Sequence, residues 1–209
     1  MITTRSLEKL AVAGNLEAQF RMGYRLAYCR NKLNRSPDLA MRYWKLAAVS
    51  GNGRAQFYLA TCYDFGSGTR RSHRSAVKWY RKAAKNGHSV AQYNLAICLR
   101  RGDGIKRNMR EAVRWLRKSA ADRNSDAQRD LGYWFHEGIG VARNPSAAFK
   151  WYRLAALQGD AIAQFNLALC FLHGDGVHQN LRYARLWLRK AANQKHRRAM
   201  GVLKQLDTR

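Results

Sequence analysis

The side chains able to do chemistry in this sequence are mostly cations. Its 209 residues hold 39 Lys and Arg against 13 Asp and Glu, a formal net charge of +26. Many of these cations fall into columns. Lys45, Arg81, Arg117, Arg153 and Arg189 make one, and Arg42, Lys78, Arg114 and Lys150 make another beside it. Denser clusters stand outside the columns, at Arg70-Arg71-Ser-His73-Arg74, Arg100-Arg101, Lys106-Arg107 with Arg110, and Lys195-His196-Arg197-Arg198. Surfaces of this kind attract polyanions or the acidic face of another protein. For the columns, a solvated helix face is the simpler account. The clusters carry more information.

Catalytic patterns fail in turn. Ser75-Ala-Val-Lys78 has the Ser-x-x-Lys spacing of serine β-lactamases, but no partner motif accompanies it. The histidines never occur as His-x-x-x-His or beside paired cysteines. His173 and His178 flank Gly174-Asp-Gly176, where a metal site is the minor alternative to a helix-ending loop. The Gly-x-Gly pairs follow no strand pattern, so they read as helix terminators rather than phosphate cradles. The carboxylates recur in no acid/base pair. The sequence reads as a non-enzyme, with no cofactor and no metal.

The elements that must position the cations come from a strict period. Ala-Gln recurs at Ala18, Ala55, Ala91, Ala127 and Ala163, spaced 37, 36, 36 and 36 residues apart. Tyr43, Trp79, Trp115, Trp151 and Trp187 keep the same step, as do the pairs Gly66/Gly68, Gly102/Gly104, Gly138/Gly140 and Gly174/Gly176. A period in this range marks a repeat array. Each unit reads as two helices. The first carries Ala-Gln and ends at Gly-x-Gly, since glycine readily takes the left-handed conformation that terminates a helix. The second starts at the column Ser36, Ser72, Asn108, Asn144 and Asn180, short polar side chains suited to N-caps. Pro37 and Pro145 follow two of these caps, where a missing N–H costs nothing. Asn108 with Glu111 has the spacing of a capping box. One helix pair cannot bury its apolar face alone, so the pairs must stack.

The run Ala-Val-Lys-Trp-Tyr-Arg-Lys-Ala-Ala-x-x-Gly-x-x-x-Ala-Gln-Tyr-x-Leu-Ala from Ala76 to Ala96, followed by Gly102-Asp-Gly104-Ile, resembles the Sel-1-like repeat (SLR). That family is related to the tetratricopeptide repeats. The likeness runs from about Asn15 to Leu203 and implies an all-α, right-handed α/α superhelical solenoid. We expect about five helix-turn-helix repeats of 36 residues in one domain spanning 1–209, closed by a C-terminal helix at 196–209. Three departures stand out. The first unit has the loop Arg30-Asn-Lys-Leu-Asn-Arg35 in place of Gly-x-Gly, and Ser or Asn replaces the family's aspartate before every second helix. Arg123 stands where the inter-helix glycine belongs.

The resemblance implies a protein-interaction scaffold. Two surfaces are candidates for the contact. One is the loop edge, where Arg70, Arg71, Arg74, Arg100, Arg101, Lys106 and Arg107 should neighbour one another. The other is the inner face of the first helices, with its variable column Arg21, Tyr58, Asn94, Asp130 and Asn166. Arg129 interrupts the aromatic column Phe57, Tyr93, Phe165, and Trp134 interrupts the cysteine column Cys62, Cys98, Cys170. Mutual compensation in the core is the preferred account of that pair, and a specialised contact the sharper one. Nearly all Trp, Tyr and Phe follow the period and are expected in the core, which disfavours base stacking and hence nucleic acid.

The column of three cysteines places each a whole helix pair from the next, on the order of 10 Å and beyond the roughly 7 Å limit for a disulfide. Cys29 sits apart in the first loop. Buried free thiols suit a reducing compartment. The opening Met1-Ile-Thr-Thr-Arg-Ser-Leu-Glu lacks the layout of a signal peptide, so a cytoplasmic location is expected, with the periplasm or secretion following only from a removed leader. No apolar run approaches the roughly 18 residues of a membrane span. The expected partner is a protein with an acidic surface, bound by an adaptor or by an inhibitor that neutralises an effector or toxin. A polyanion, either nucleic acid or an anionic membrane surface, is the alternative.

Overall fold

The computed structural model describes residues 4–28 and 35–208. Cys29 and the loop 30–34 lie outside the described residues. The described chain forms helices without strands. After α1 (Thr4–Val12), helices alternate between two kinds. The A helices are α2 (Leu16–Tyr28), α4 (Gly53–Phe65), α6 (Ser89–Arg101), α8 (Ser125–Glu137) and α10 (Ala161–His173). The B helices are α3 (Pro37–Val49), α5 (His73–Lys85), α7 (Met109–Ala121), α9 (Pro145–Leu157) and α11 (Leu181–Asn193), and α12 (Arg197–Asp207) follows. The architecture is the all-α helix-turn-helix repeat that the period implies.

Two compact units divide the chain, residues 1–112 and 113–209. Within the first, each helix from α1 to α6 packs on its neighbours in sequence. Within the second, α8 to α12 do the same. Alanines supply the close contacts: Ala40, Ala47, Ala55, Ala76, Ala83 and Ala91 are fully buried in the first unit, and Ala148, Ala155, Ala163, Ala168 and Ala184 in the second. Their small side chains let helices approach until backbones nearly touch.

The signature Ala-Gln has a structural reason. Gln19, Gln56, Gln92, Gln128 and Gln164 are buried, and each Nε2 donates to the carbonyl of the alanine eight residues earlier, at 3.0 to 3.4 Å. Each glutamine thus ties an A helix to the C-terminal turn of the helix before it. Three of them also accept: Gln56 from Asn86, Gln128 from Gln158 and Gln164 from Gln194. Buried amides need such partners, because an unpaired one costs about 1–3 kcal/mol.

Caps hold both helix kinds. Four of the expected B-helix caps form: Ser72, Asn108, Asn144 and Asn180 accept from the N–H three residues on. Ser36 does not cap α3. Its hydroxyl donates to Asp38 instead, at 2.7 Å, and Pro37 at the first helical position leaves one fewer N–H to satisfy. Glu111 reaches Arg81 at 3.2 Å, while the Asn108 N–H donates to Leu99. A second cap column precedes the A helices: Asn15, Asn52, His88, Asn124, Asp160 and His196.

The two glycines of Gly-x-Gly do different work. Gly66, Gly102, Gly138 and Gly174 end their helices in the left-handed region. The second glycine permits a close approach. A Cβ at Gly104 would lie 2.3 Å from the His73 carbonyl carbon, and one at Gly68 would lie 2.3 Å from the Pro37 carbonyl oxygen.

The aromatic column sits one residue from the deepest position. Trp44, Tyr80 and Tyr152 are 3%, 0% and 3% exposed, whereas Trp79, Trp115 and Trp151 are only half-buried. Lysines lie over two of these outer indoles, Lys82 on Trp79 at 4.4 Å and Lys118 on Trp115 at 4.8 Å, and Lys190 lies over the buried Trp187 of the same column at 4.3 Å. The indole carries the methylene stem and the ammonium keeps its water.

Candidate protein-interaction site

Charge is sorted by helix kind. The B helix α5 carries Arg74, Lys78, Arg81, Lys82 and Lys85 and no carboxylate. On α11 stand Arg182, Arg185, Arg189 and Lys190, again with no carboxylate. The A helices carry far less: α8 has Arg129 against Asp126, Asp130 and Glu137, α10 has no Lys, Arg, Asp or Glu at all, and α6 ends in Arg100 and Arg101. The excess positive charge therefore resides on B helices and loops.

At the loop edge of the first unit, Arg70, Arg71, Arg74, Arg101, Lys106 and Arg107 are exposed and Arg100 is half-buried. Arg71 and Arg101 meet at an open cavity of about 410 Å³ on α4 and α6, and Asn94 of the inner-face column lines the same cavity. A relay of side chains sets Arg71. The buried Tyr80 hydroxyl donates to Asp64 Oδ2 at 3.1 Å, and Asp64 Oδ1 lies 2.9 Å from His73 Nδ1. His73 Nε2 then lies 2.7 Å from Arg71 Nη2 and 3.1 Å from Nε. A guanidinium only donates, so Nε2 accepts and the ring proton sits on Nδ1, facing Asp64. Burial, and then the Asp64 charge, push the Tyr80 phenol well above its ordinary pKa.

This Asp–His pair holds a guanidinium and has no nucleophile to serve. Its outer nitrogen is occupied by Arg71. The thiol beside it, Cys98, is pushed up to about 12 by burial. Cys62 and Cys170 are likewise buried free thiols, pushed up to about 11 and about 12 by burial. Ser75 lies in the first turn of α5 with its hydroxyl accepting from Ser72, and Lys78 is exposed. Among the described residues no three His, Cys, Asp or Glu side chains gather as a metal site.

In the second unit, the residues of the fourth repeat are taken up by the fold. Arg129 is 16% exposed at its side chain and pairs with Asp126 and Asp160 at 2.8 Å and with Asp130 at 3.1 Å. Burial opposes its charge, yet Asp130, Asp160 and Asp126 more than restore it and hold its pKa above the ordinary value. Trp134 is 1% exposed and fills the core where three other repeats place cysteine, so it has no surface to offer a partner. Asn166 and Asp130 are half-buried.

The expectation that the aromatics are core fails on α2 and α4. Tyr24, Tyr28 and Phe65 are 47%, 55% and 78% exposed. With Tyr58, Tyr24 and Tyr28 form one cluster, ring centroids 4.8 to 6.3 Å apart. A signal existed. In the later repeats the Tyr24 column reads Thr61, Ile97, Tyr133 and Leu169 and the Tyr28 column reads Phe65, Arg101, Glu137 and His173, and a column without consensus marks a surface.

Comparison with known proteins agrees with this architecture. The Sel1 repeat model matches five consecutive segments, residues 16–52, 53–88, 89–124, 125–160 and 161–196. No curated protein matches the sequence significantly. Among solved structures, the chain is similar to a protective antigen of uropathogenic Escherichia coli with an SLR fold, at 30% identity and TM-score 0.90. That likeness covers 95% of this chain and 42% of the antigen, so the chain spans less than half of that relative's length. A Sel1 repeat protein from Oxalobacter formigenes is also 30% identical, with TM-score 0.82, over 97% of this chain and 78% of its own. An immunity protein from Pseudomonas aeruginosa shares the fold at 22% identity and TM-score 0.56, over 88% of this chain and 67% of its own. Sel1 repeats serve in general as scaffolds for protein–protein interaction, and such scaffolds are generally non-enzymatic. No helix among the described residues is long and apolar enough to cross a membrane. With five repeats matched across residues 16–196, the chain belongs to the Sel1 repeat family.

Proposed function

We propose that this protein binds an acidic protein partner without catalysis, as an adaptor or as an immunity-type inhibitor of an effector or toxin. The observation that carries this reading is the exposed loop edge of Arg70, Arg71, Arg101, Lys106 and Arg107, where Arg71 and Arg101 line a cavity with Asn94 of the inner face and with Asp64 and Asp103. The Asp64–His73 relay holds the Arg71 guanidinium in place before a ligand arrives, which lowers the ordering cost of binding. The surrounding Arg70, Lys106 and Arg107 would speed encounter with a negative surface. Support for the inhibitor role comes from fold neighbours that are Pseudomonas aeruginosa immunity proteins, at 21–23% identity. The buried free thiols Cys62, Cys98 and Cys170 support a reducing compartment such as the cytoplasm.

The test is capture from nuclease-treated native lysate, washed at 100 and 400 mM salt and read by mass spectrometry. One stoichiometric protein with an acidic surface, retained at both salts, is expected. Binding through phosphate contacts would fall by about 10³ or more across a comparable salt range. Recovery of ribosomal or nucleic-acid material alone, lost at 400 mM, would replace this reading with polyanion binding.

A further inference from the structure

The exposed tyrosines of the first unit form a second binding surface. Two open cavities, each of about 410 Å³, flank Tyr28, which lines both. On one side the walls include Trp44, Tyr58 and Phe65; on the other they include Leu7, Tyr24 and Arg25. The floor is rigid. Trp44 is buried, stacks on Tyr58 at 4.9 Å, and donates from Nε1 to the Phe20 carbonyl. Arg54 lies over the Phe20 ring at 4.0 Å.

The rim is cationic. Arg21 and Arg54 share one carboxylate, Glu17, at 2.8 and 3.7 Å. Arg25 is exposed and makes no ion pair among the described residues. Three guanidiniums against one carboxylate leave the rim in need of negative charge. Tyrosine, tryptophan and arginine are enriched in interaction hot spots, and the two aromatics offer large contact area at low entropy cost. Two neighbouring apolar cavities beside such a rim fit an extended chain that seats two side chains.

We infer that the face of α2 and α4 around Tyr28 binds an acidic peptide segment of the protein partner. Two apolar side chains of the segment enter the cavities on either side of Tyr28, and its carboxylates meet Arg21, Arg25 and Arg54. This inference rests on the acidic-partner reading and places a contact beside the Arg71–Arg101 cavity, with which the groove shares Phe65 as a wall.

The probe is a labelled synthetic peptide of sequence Asp-Glu-Leu-Asp-Trp-Glu-Asp, titrated into the full chain and followed by fluorescence anisotropy. Its controls replace Leu and Trp with Ser, or every acid with its amide, and a twelve-residue oligothymidylate is the competing polyanion. We expect the acidic-apolar peptide to bind at least about fivefold more tightly than either control. The double variant Tyr28→Ser, Arg25→Ser, both exposed positions, should erase that difference, while the loop-edge variant Arg71→Ser, Arg101→Ser should keep it. Equal binding of the Ser control, or an unaffected double variant, overturns the inference. So does oligothymidylate binding that is tighter than the peptide's and lost with Tyr28, which would assign base stacking instead. If the captured partner binds the double variant as well as wild type but not the loop-edge variant, the groove fails and the acidic-partner reading stands.

Discussion

The Tyr58 ring lies on the Trp44 indole with centroids 4.9 Å apart and planes 25° from parallel. Trp44 in turn presses on Gly23, where a Cβ would come within 2.5 Å of the indole Nε1. The only residue that fits at position 23 thus supports the floor of the aromatic face. Gly23→Ala should destabilise the protein by about 1–3 kcal/mol, the usual cost of overpacking a core. Thermal unfolding of the variant checks this, and loss of Tyr28-dependent peptide binding should accompany it.

The buried glutamines give a test in the opposite direction. Asn86 caps the end of α5 and donates to Gln56 Oε1 at 2.9 Å. Ser50 holds the equivalent cap of α3 with nearly the same backbone angles, but its hydroxyl turns to the Leu46 carbonyl and Gln19 Oε1 is left unpaired. Ser50→Asn should therefore stabilise by about 0.5–1.5 kcal/mol, and Gln56→Leu should cost about 1–3 kcal/mol. Urea denaturation of both variants measures the pair.

Two glycines with left-handed backbones should respond differently to the same change. A Cβ at Gly87 meets nothing within 4 Å, whereas one at Gly104 meets the His73 carbonyl at 2.3 Å. Gly87→Ala should cost about 1–2 kcal/mol for the conformation alone. Gly104→Ala should cost more, because backbone must move. Arg123 already stands in the left-handed region at φ 61, so Arg123→Gly should leave stability unchanged or raise it. Melting temperatures of the three variants rank them.

His88 makes stability depend on pH. Its ring stacks on Phe57 and its Nδ1 accepts from the Ala91 N–H, which requires the neutral form. Burial lowers its pKa from the ordinary value. The folded state therefore resists protonation that the unfolded chain accepts, so stability is full above about pH 6.5 and declines as pH falls below it. We expect lower stability at pH 5 than at pH 7.5, and a smaller difference in His88→Asn, since Asn52 and Asn124 cap without titrating. An unchanged difference would place the pH dependence elsewhere.

Much of this was legible because the repeat aligns five copies of one solution. Ala-Gln, Gly-x-Gly and the B-helix caps were readable as columns, and Pro37 and Pro145 confirmed the starts. What the period does not report is which of two adjacent columns faces inward. Trp79 and Tyr80 differ by one residue and by about 100° around the helix, and the smaller Tyr80 takes the core. The A-helix caps were missed because His88 and Asp160 vary in type while doing one job. The exposure of Tyr24 and Tyr28 was missed because nearly all aromatics were read as core from the period, although these two lie outside the aromatic column. Arg129 and Trp134 were visible as irregularities, but the Arg129 partners Asp126 and Asp160, one on α8 and one at the N-cap of α10, come together only in the folded chain.

A basic loop edge that holds an acidic protein must release it when the edge loses its cations. The measurement is the affinity of the captured partner, by calorimetry at 150 mM salt, for wild type and for the fourfold variant Arg70→Ser, Arg71→Ser, Lys106→Ser, Arg107→Ser. These residues are exposed, so the fold should persist with an unchanged helical circular dichroism spectrum. A loss of at least about tenfold, or 1.4 kcal/mol, is the expected result. Affinity within about twofold of wild type, in a folded variant, would contradict the account.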